Sequence, residues 1–301
     1  MSTEPQAVSP RPAAIDLVSG FAPLAPRYDL IFCDVWGVLH DGLTAFPEAG
    51  DALRRYREGG GRVVLVSNAP RPGSSVAQQL DGLGVPRGAY DAVVTSGDLT
   101  RAVVIERGQQ SLHHIGPERD LPLFEGLPVR FASLDEADYV VCTGLFDDEI
   151  ETIADYEATL RLMRERGLRM VCANPDIVVE RGHRLILCAG ALAAAYEAIG
   201  GDSYTAGKPH RPIYEAALAK GARLFGSMPP RSRILAIGDA IRTDVAGGRA
   251  FGIDVLLIAR GIHAGDLGYT PGAIDPERAL AWLATQDYQP SAVAPELVWT
   301  S

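Results

Sequence analysis

The stretch LIFCDVWGVLHDG, residues 30–42, constrains the fold of this chain more than any other. It opens with four apolar residues in a row and meets Asp34, and glycines follow at positions 37 and 42. A short apolar run without alternation, closed by polar residues and glycine, is typical of a strand buried on both faces of a parallel sheet. Asp34 then lies at the carboxyl end of that strand, where ligands bind in open α/β sheets. Aspartate also commonly begins helices, so a helix cap is an alternative interpretation of this position.

The pattern of strand, helix and strand repeats along the chain. A helical face in residues 47–58 ends at glycines, and a second apolar strand, RVVLV at 62–66, stops at Ser67 and Asn68. Strand, helix and strand in close succession form the unit that builds a parallel sheet. Further strands are predicted at 91–96, 112–115, 139–143, 169–173, 233–237 and 254–258, and further helices at 74–83, 148–166, 190–199, 211–220 and 276–284.

This order predicts an α/β protein with a Rossmann-like parallel sheet as its core and an inserted α/β cap domain. The core domain is expected to be discontinuous, with residues 1–97 and 203–301, and the cap to comprise residues 98–202. Residues 1–25, rich in proline and alanine, are expected to form a loose lead-in with one short helix near residues 15–19. The end of the chain beyond the last helix is expected to be irregular.

Composition excludes several classes of function. The chain has 28 basic and 38 acidic residues, and its net charge of −10 disfavours binding to nucleic acid or to an anionic membrane surface. No basic start with an apolar core marks a signal peptide, and the longest apolar stretch, 185–196, is too short to span a bilayer. The four cysteines lie in apolar runs without a CxxC pair, which favours reduced core thiols but leaves a disulfide open. We expect a cytoplasmic protein.

Polar residues occupy other strand ends and helix starts, the same topological position as the first aspartate. Ser67 and Asn68 close the second strand, where a hydroxyl and an amide can donate to a phosphate oxygen. Lys208, in GKP before a helix, can neutralise a phosphate. Asp239 and Asp244, in GDAIRTD, form a carboxylate pair suited to Mg²⁺. Taken singly, each motif also has an ordinary interpretation as a strand end, a turn or a helix cap.

Together, in this order, the motifs resemble those of the haloacid dehalogenase superfamily of Mg²⁺-dependent phosphatases. The insertion between the second and third motifs is similar to the class IIA arrangement with an α/β cap, a group that includes sugar phosphatases. In the cap, the segment CANPDIVVERG, 172–182, resembles that subfamily through Asn174 and Asp176, and Arg181 is a further candidate. The resemblance extends over residues 28–265. It implies that the substrate is a small phosphorylated metabolite such as a sugar phosphate, and that the cap can form a homodimer.

The resemblance also implies a role for each core motif. Asp34 would be the nucleophile that forms an aspartyl phosphate, and Lys208 would orient it and stabilise the charge of the phosphate. Ser67 and Asn68 would hold the transferring group, and Asn174 and Asp176 of the cap would contact the substrate. The Mg²⁺ ligands would be Asp34, Asp239, Asp244 and the backbone carbonyl of Trp36.

The chain departs from the family at Trp36, where the usual first motif has a second aspartate that acts as general acid and base. An indole donates one hydrogen bond but transfers no proton at neutral pH, and such catalysis is typically worth roughly a hundredfold to ten-thousandfold. His40, Asp41 and His210 are candidates to replace it, although each also fits a turn or a helix start. The alternative function is therefore a catalytically weakened protein that binds Mg²⁺ and a phosphorylated metabolite without efficient turnover.

Overall fold

The computed structural model describes residues 15–182 and 184–300 as an α/β protein with two parallel sheets. The described strands are β1 (Asp16–Leu17), β2 (Leu30–Cys33), β3 (Arg62–Ser67), β4 (Ala92–Thr95), β5 (Ser111–Ile115), β6 (Arg130–Phe131), β7 (Tyr139–Cys142), β8 (Arg169–Cys172), β9 (Val178–Arg181), β10 (Arg184–Leu187), β11 (Asp202–Thr205), β12 (Ile234–Gly238), β13 (Asp254–Ile258) and β14 (Ala292–Ala294). The described α-helices are α1 (Pro47–Glu58), α2 (Gly73–Gly82), α3 (Ser96–Arg107), α4 (Glu157–Glu165), α5 (Ala189–Ala198), α6 (Arg211–Phe225), α7 (Ala246–Phe251) and α8 (Pro276–Leu283).

The larger sheet has seven parallel strands in the order β1-β14-β13-β12-β2-β3-β4. Strand β2, in the interior of this sheet between β12 and β3, is buried along its whole length because both faces of the sheet are covered. Ile31 and Cys33 lie in the same apolar cluster as the inner face of α1, whereas Leu30 and Phe32 lie in the cluster that contains the inner face of α6. The expectation that this apolar run forms a strand in the middle of a parallel sheet is confirmed.

The smaller sheet has five parallel strands in the order β11-β8-β7-β5-β6, and an antiparallel hairpin, β9-β10, follows its strand β8. Helices α4 and α5 pack on this sheet through a cluster that contains Leu160, Met163 and Leu192. The division into residues 1–97 with 203–301 and residues 98–202 stays a prediction. Position 97 falls within α3, and position 203 falls within β11, which pairs with β8.

The prediction of a loose lead-in with a short helix is wrong for its described part. Residues 1–14 lie outside the described residues. Asp16 and Leu17 form β1, which pairs with β14 and so provides partners for backbone groups at that edge of the sheet. Phe21 is fully buried and packs against the ring of Tyr56. The expectation of an irregular chain end after the last helix is also wrong, because β14 belongs to the core sheet.

The helix predicted at 148–166 begins later than expected. The α-helix starts at Glu157, after a 3₁₀ turn over Ile153–Tyr156. Thr152 and Asp155 form a capping box at this point, which satisfies backbone N–H groups that a longer helix would have used. Asp148 lies ahead of this start and forms ion pairs with arginines instead.

The four cysteines are buried free thiols, as the sequence predicts. Across residues 15–182 and 184–300, every helix is too short or too polar to reach through a lipid bilayer.

Candidate active site

Three neighbouring strands bring the predicted site residues to one edge of the core sheet. Asp34 directly follows β2, Ser67 ends β3 and Asp239 directly follows β12. Because β12 and β3 flank β2 in parallel, their carboxyl ends lie side by side. The backbone N–H of Asp34 donates to the carbonyl of Ile237 at 2.8 Å, which continues the strand pairing up to Asp34.

Lys208 joins two of the carboxylates. Its Nζ lies 2.7 Å from Oδ1 of Asp34 and 2.8 Å from Oδ1 of Asp244, and only 2% of the residue is exposed. Asn68 fixes the backbone at this point, because its Oδ1 accepts from the Lys208 N–H at 2.8 Å and its Nδ2 donates to the Lys208 carbonyl at 3.2 Å. The peptide bond between Lys208 and Pro209 is cis. Residues that lie far apart in sequence therefore meet through direct contacts.

The electrostatics of this cluster keep the lysine charged. Burial lowers the pKa of Lys208, but the charges of Asp244 and Asp34 outweigh this effect and leave the pKa well above its usual value. Burial raises the pKa of Asp34 well above its usual value, the charge of Asp244 adds to the rise, and Lys208 opposes it. Burial also raises the pKa of Asp239 to about 7, again with a contribution from Asp244. Buried carboxylates outnumber cations here.

The three carboxylates are placed so that they could share a cation. One oxygen each from Asp34, Asp239 and Asp244 lies within 4.8 Å of the other two. Two glycines pack tightly against the carboxylate of Asp239. A Cβ added to Gly37 would lie 2.1 Å from Oδ2 of Asp239, and a Cβ added to Gly261 would lie 2.0 Å from the same atom. Three carboxylates facing one ammonium leave two negative charges to be balanced in a buried site, and hard oxygen ligands of this kind suit Mg²⁺.

Asn68 also links the core to the cap. Its Nδ2 donates to Oδ1 of Asp176 at 2.9 Å, and Asp176 is a half-buried cap residue whose pKa is raised by desolvation. Asn174 shapes the same turn, because its Oδ1 accepts from the Asp176 N–H at 3.1 Å. Of the two cap residues predicted to contact substrate, Asp176 therefore reaches the core residues directly, and Asn174 shapes the turn that carries it.

Trp36 forms a second link to the cap. Its indole N–H donates to the backbone carbonyl of Glu180 in β9. The ring packs edge-on against His40, with 5.0 Å between ring centroids. The Trp36 side chain is therefore engaged with the cap hairpin.

The three residues predicted as candidate acids and bases lie in different surroundings. His40 is buried and lines the same cavity as Asp34; burial lowers its pKa to about 4, and its Nδ1 accepts from the Gly42 N–H at 2.8 Å. Asp41 accepts from the N–H groups of Leu43 and Thr44, as a turn residue does. His210 is an exposed residue directly before α6 and lines a separate cavity of about 420 Å³.

A cavity of about 100 Å³ opens between this edge and the cap. Its lining includes Asp34, Ser67 and Asn68 together with charged residues that the sequence analysis missed. These are Arg71, Arg119, Asp120 and Asp148. Arg181 of β9, which the sequence already indicated as a candidate, also lines the cavity. Arg71 could have been found, because it follows Ser67 by four positions in the same loop, whereas the others belong to cap turns without a recognisable pattern.

Comparisons with known proteins agree with this arrangement. A family described as haloacid dehalogenase-like hydrolase matches residues 31–129, and one described as HAD-hydrolase-like matches residues 205–298. A solved structure from Brucella suis 1330, described as a hydrolase of the haloacid dehalogenase-like family, is 50% identical. It aligns over 94% of this chain and all of its own length, with a TM-score of 0.84.

Two more distant relatives carry functional names. Ribonucleotide monophosphatase NagD of Escherichia coli K12 is 26% identical over 241 residues, which cover 78% of this chain and 89% of the relative. D-glycerol 3-phosphate phosphatase of Mycobacterium tuberculosis is 27% identical over 302 residues, which cover 92% of this chain and 76% of the relative.

Proposed function

Because this chain belongs to the haloacid dehalogenase-like hydrolases, we propose that it is a Mg²⁺-dependent phosphatase that removes phosphate from a small phosphorylated metabolite, such as a sugar phosphate. The observation that carries the proposal is the position of Lys208 between Asp34 and Asp244. Relatives named as phosphatases of ribonucleotides and of glycerol 3-phosphate support the reaction class. The cytoplasmic location and the homodimer stay predictions.

In the proposed reaction, a carboxylate oxygen of Asp34 attacks phosphorus and the ester P–O bond breaks, which leaves an aspartyl phosphate; the departing alkoxide takes a proton from water and leaves as the alcohol. Water then attacks the aspartyl phosphate, so inorganic phosphate leaves and Asp34 is regenerated. Lys208 holds the attacking carboxylate in position and supplies positive charge beside the transferring group. Ser67 holds a phosphoryl oxygen at the end of its strand, and Asn68, whose amide is bonded to Lys208 and Asp176, keeps the lysine beside it.

Asp34, Asp239 and Asp244, with the backbone carbonyl of Trp36, are the residues that would hold Mg²⁺. When bound, the ion neutralises negative charge on the transferring phosphoryl group. The contact between Gly37, which follows Trp36, and the carboxylate of Asp239 supports this ligand set, because the Trp36–Gly37 peptide lies against the cluster.

The direct test is release of inorganic phosphate from a panel of monoesters with Mg²⁺ or with EDTA. The panel contains 4-nitrophenyl phosphate, glycerol 3-phosphate, glucose 6-phosphate and adenosine 5′-monophosphate. Release should require Mg²⁺ and should fall by at least about a thousandfold in Asp34→Asn, which removes the nucleophile. Asp81→Asn, at a surface residue paired with Arg87, is the matched control. Absence of release from every ester with Mg²⁺ present would contradict the proposal.

Trp36 favours a second candidate, a protein that binds Mg²⁺ and a phosphorylated metabolite but turns it over poorly. Its indole N–H is used by Glu180 and carries no titratable proton at neutral pH. Trp36→Asp separates the two candidates. A gain of roughly a hundredfold or more in kcat supports the weakened protein, whereas a loss shows that the tryptophan belongs to a working site.

A further inference from the structure

Arg71 is held at a fixed place in the cavity by its backbone. The carbonyl of Arg71 accepts from the Thr95 hydroxyl at 2.7 Å, at the end of the neighbouring strand β4. Gly97 lies so close that a Cβ there would be within 2.6 Å of the backbone N and C of Arg71. The loop that carries Ser67 and Asn68 therefore continues rigidly to Arg71.

The guanidinium of Arg71 is only partly used. Its Nε is buried and has no hydrogen-bond partner among the described residues. The nearest paired carboxylate oxygen, Oδ1 of Asp120, lies 3.8 Å from Nε, beyond hydrogen-bond distance, and Nη2 makes one long bond of 3.4 Å to Gln79. An arginine carries five N–H donors in a planar fork, and leaving buried donors without a partner costs free energy. This side chain is therefore suited to receive an acceptor from a ligand.

The other charged groups of the cavity are already engaged. Asp148 pairs with both Arg119 and Arg181, and its Oδ2 lies 2.9 Å from Nη2 of Arg181. Asp176 accepts from Asn68. Asp120 is buried, but its Oδ1 lies 3.8 Å from Nε of Arg71 and so makes no hydrogen bond to this nitrogen. The donors that remain for a ligand anion are concentrated at Arg71.

We propose that Arg71 binds a carboxylate on the substrate, so that the preferred substrates are short phosphorylated hydroxy acids. This inference rests on the proposed phosphatase function. A guanidinium fork matches a carboxylate in a planar, two-point contact, and the unused Nε with its neighbouring N–H provides such a pair. The cavity of about 100 Å³ is well below the size of sites for drug-sized ligands, which favours a substrate of a few carbons over a nucleotide.

The test compares two esters that share a carbon skeleton. 3-Phosphoglycerate carries a carboxylate where glycerol 3-phosphate carries a hydroxymethyl group. The wild-type protein with Mg²⁺ should show a kcat/KM about 10- to 100-fold higher for 3-phosphoglycerate, the contribution of one charge-assisted hydrogen-bonded pair. Arg71→Met should abolish this preference while it changes kcat/KM for glycerol 3-phosphate by less than about threefold. Arg71→Lys, which keeps the charge but loses the fork, should restore part of the preference.

Arg55→Met is the matched control, because Arg55 is half exposed on α1 and pairs with Asp51 outside the cavity. Its preference should equal that of the wild type. The inference is overturned if the wild type hydrolyses both esters equally, or if the preference survives Arg71→Met. In the first of these results the phosphatase proposal still stands.

If neither ester nor any other monoester is hydrolysed, the phosphatase proposal fails separately, and binding decides the role of Arg71. Isothermal titration calorimetry on the Asp34→Asn protein, with and without Arg71→Met, then compares the two esters directly. Tighter binding of 3-phosphoglycerate that requires Arg71 supports the carboxylate site, and equal Kd values overturn it.

Discussion

The core edge and the cap face of the cavity use charge in different ways. At the core edge, Lys208 lies between two carboxylates at 2.7 and 2.8 Å, and these side chains are nearly excluded from solvent. On the cap face, Asp148 pairs with Arg119 and Arg181, whose side chains are 50% and 27% exposed. Buried charges depend on complete pairing, whereas partly exposed pairs are screened by water. From this difference we expect the core edge to set the chemistry and the cap face to adjust the fit of the substrate.

The largest effect should come from Lys208→Met. This change leaves Asp34 and Asp244 without their shared cation and removes positive charge beside the transferring phosphoryl group. We expect kcat for 4-nitrophenyl phosphate to fall by roughly a hundredfold to a thousandfold, as for loss of one preorganised electrostatic group. Mg²⁺ affinity, measured by calorimetry, should stay the same or increase, because the competing cation is gone.

Lys220→Met is the matched control for this variant, because Lys220 is exposed on α6, the helix that follows Lys208. Its kcat should remain within about twofold of the wild type. A fall in kcat of less than tenfold for Lys208→Met would contradict the expectation that the core edge sets the chemistry and the cap face adjusts the fit of the substrate.

The second effect concerns the dependence of stability on pH through His40. Burial lowers the folded-state pKa of His40 to about 4, whereas a histidine in the unfolded chain titrates near 6.5. Between these values the unfolded state binds a proton that the folded state excludes, so stability falls as the pH decreases from about 6.5 towards 4. The full difference is about 3 kcal/mol for this 1% exposed side chain. His40→Asn, whose amide oxygen can still accept from Gly42, should make this decline shallower.

Urea unfolding at pH 7.5 and at pH 4.5 measures the effect. His114→Asn is the corresponding cap variant, since burial also lowers the pKa of His114 to about 4. If the core and the cap unfold as one unit, both variants change the same transition. If the pH dependence of stability is unchanged in His40→Asn, the folded protein does not keep this histidine neutral.

The sequence predicts the chemical part of the site better than its surroundings. Asp34, Ser67 and Asp239 were predictable because buried strands in a parallel sheet end at a common edge, and short continuous apolar runs locate those ends. Lys208 was predictable only through its motif. Its contact with Asp244 depends on a loop whose position is fixed by Asn68, and neither spacing nor periodicity encodes this contact.

The elements that the sequence did not predict are formed by tertiary contacts. Strands β1 and β14 are three residues long or shorter and are defined by pairing with the edge of a sheet formed elsewhere. Strand β9 lies in the segment 172–182, which was recognised as a cap motif but not as a strand, and its hairpin partner β10 lies just beyond that segment. Arg119 and Asp148 meet across a turn of the cap and have no local signal in the sequence. Long-range pairing decides each of these features.

A smaller effect is expected in the cap, from Asp148→Asn. The change removes the carboxylate that holds Arg119 and Arg181 but keeps the size of the side chain. We expect a loss of about 1 kcal/mol in the free energy of unfolding, the usual size for partly exposed ion pairs. The kcat for 4-nitrophenyl phosphate should stay within about twofold. A tenfold fall in kcat would assign this cap cluster to the chemistry and so contradict the comparison.

The smallest effect should come from Trp36→Phe, which tests where the two regions join. The change removes the indole N–H that donates to the carbonyl of Glu180 but keeps an aromatic ring beside His40. One such hydrogen bond contributes about 0.5–1.5 kcal/mol, so amide hydrogen exchange in β9 and β10 should become roughly 2- to 10-fold faster. Exchange in β2 and β12 should not change, because their pairing does not involve the indole. Trp299→Phe, which alters a tryptophan packed on Phe21 instead, should leave the hairpin unchanged. Faster exchange in β2 as well would mean that Trp36 holds the nucleophile loop itself, and the tryptophan would then belong to the core edge rather than to the junction with the cap.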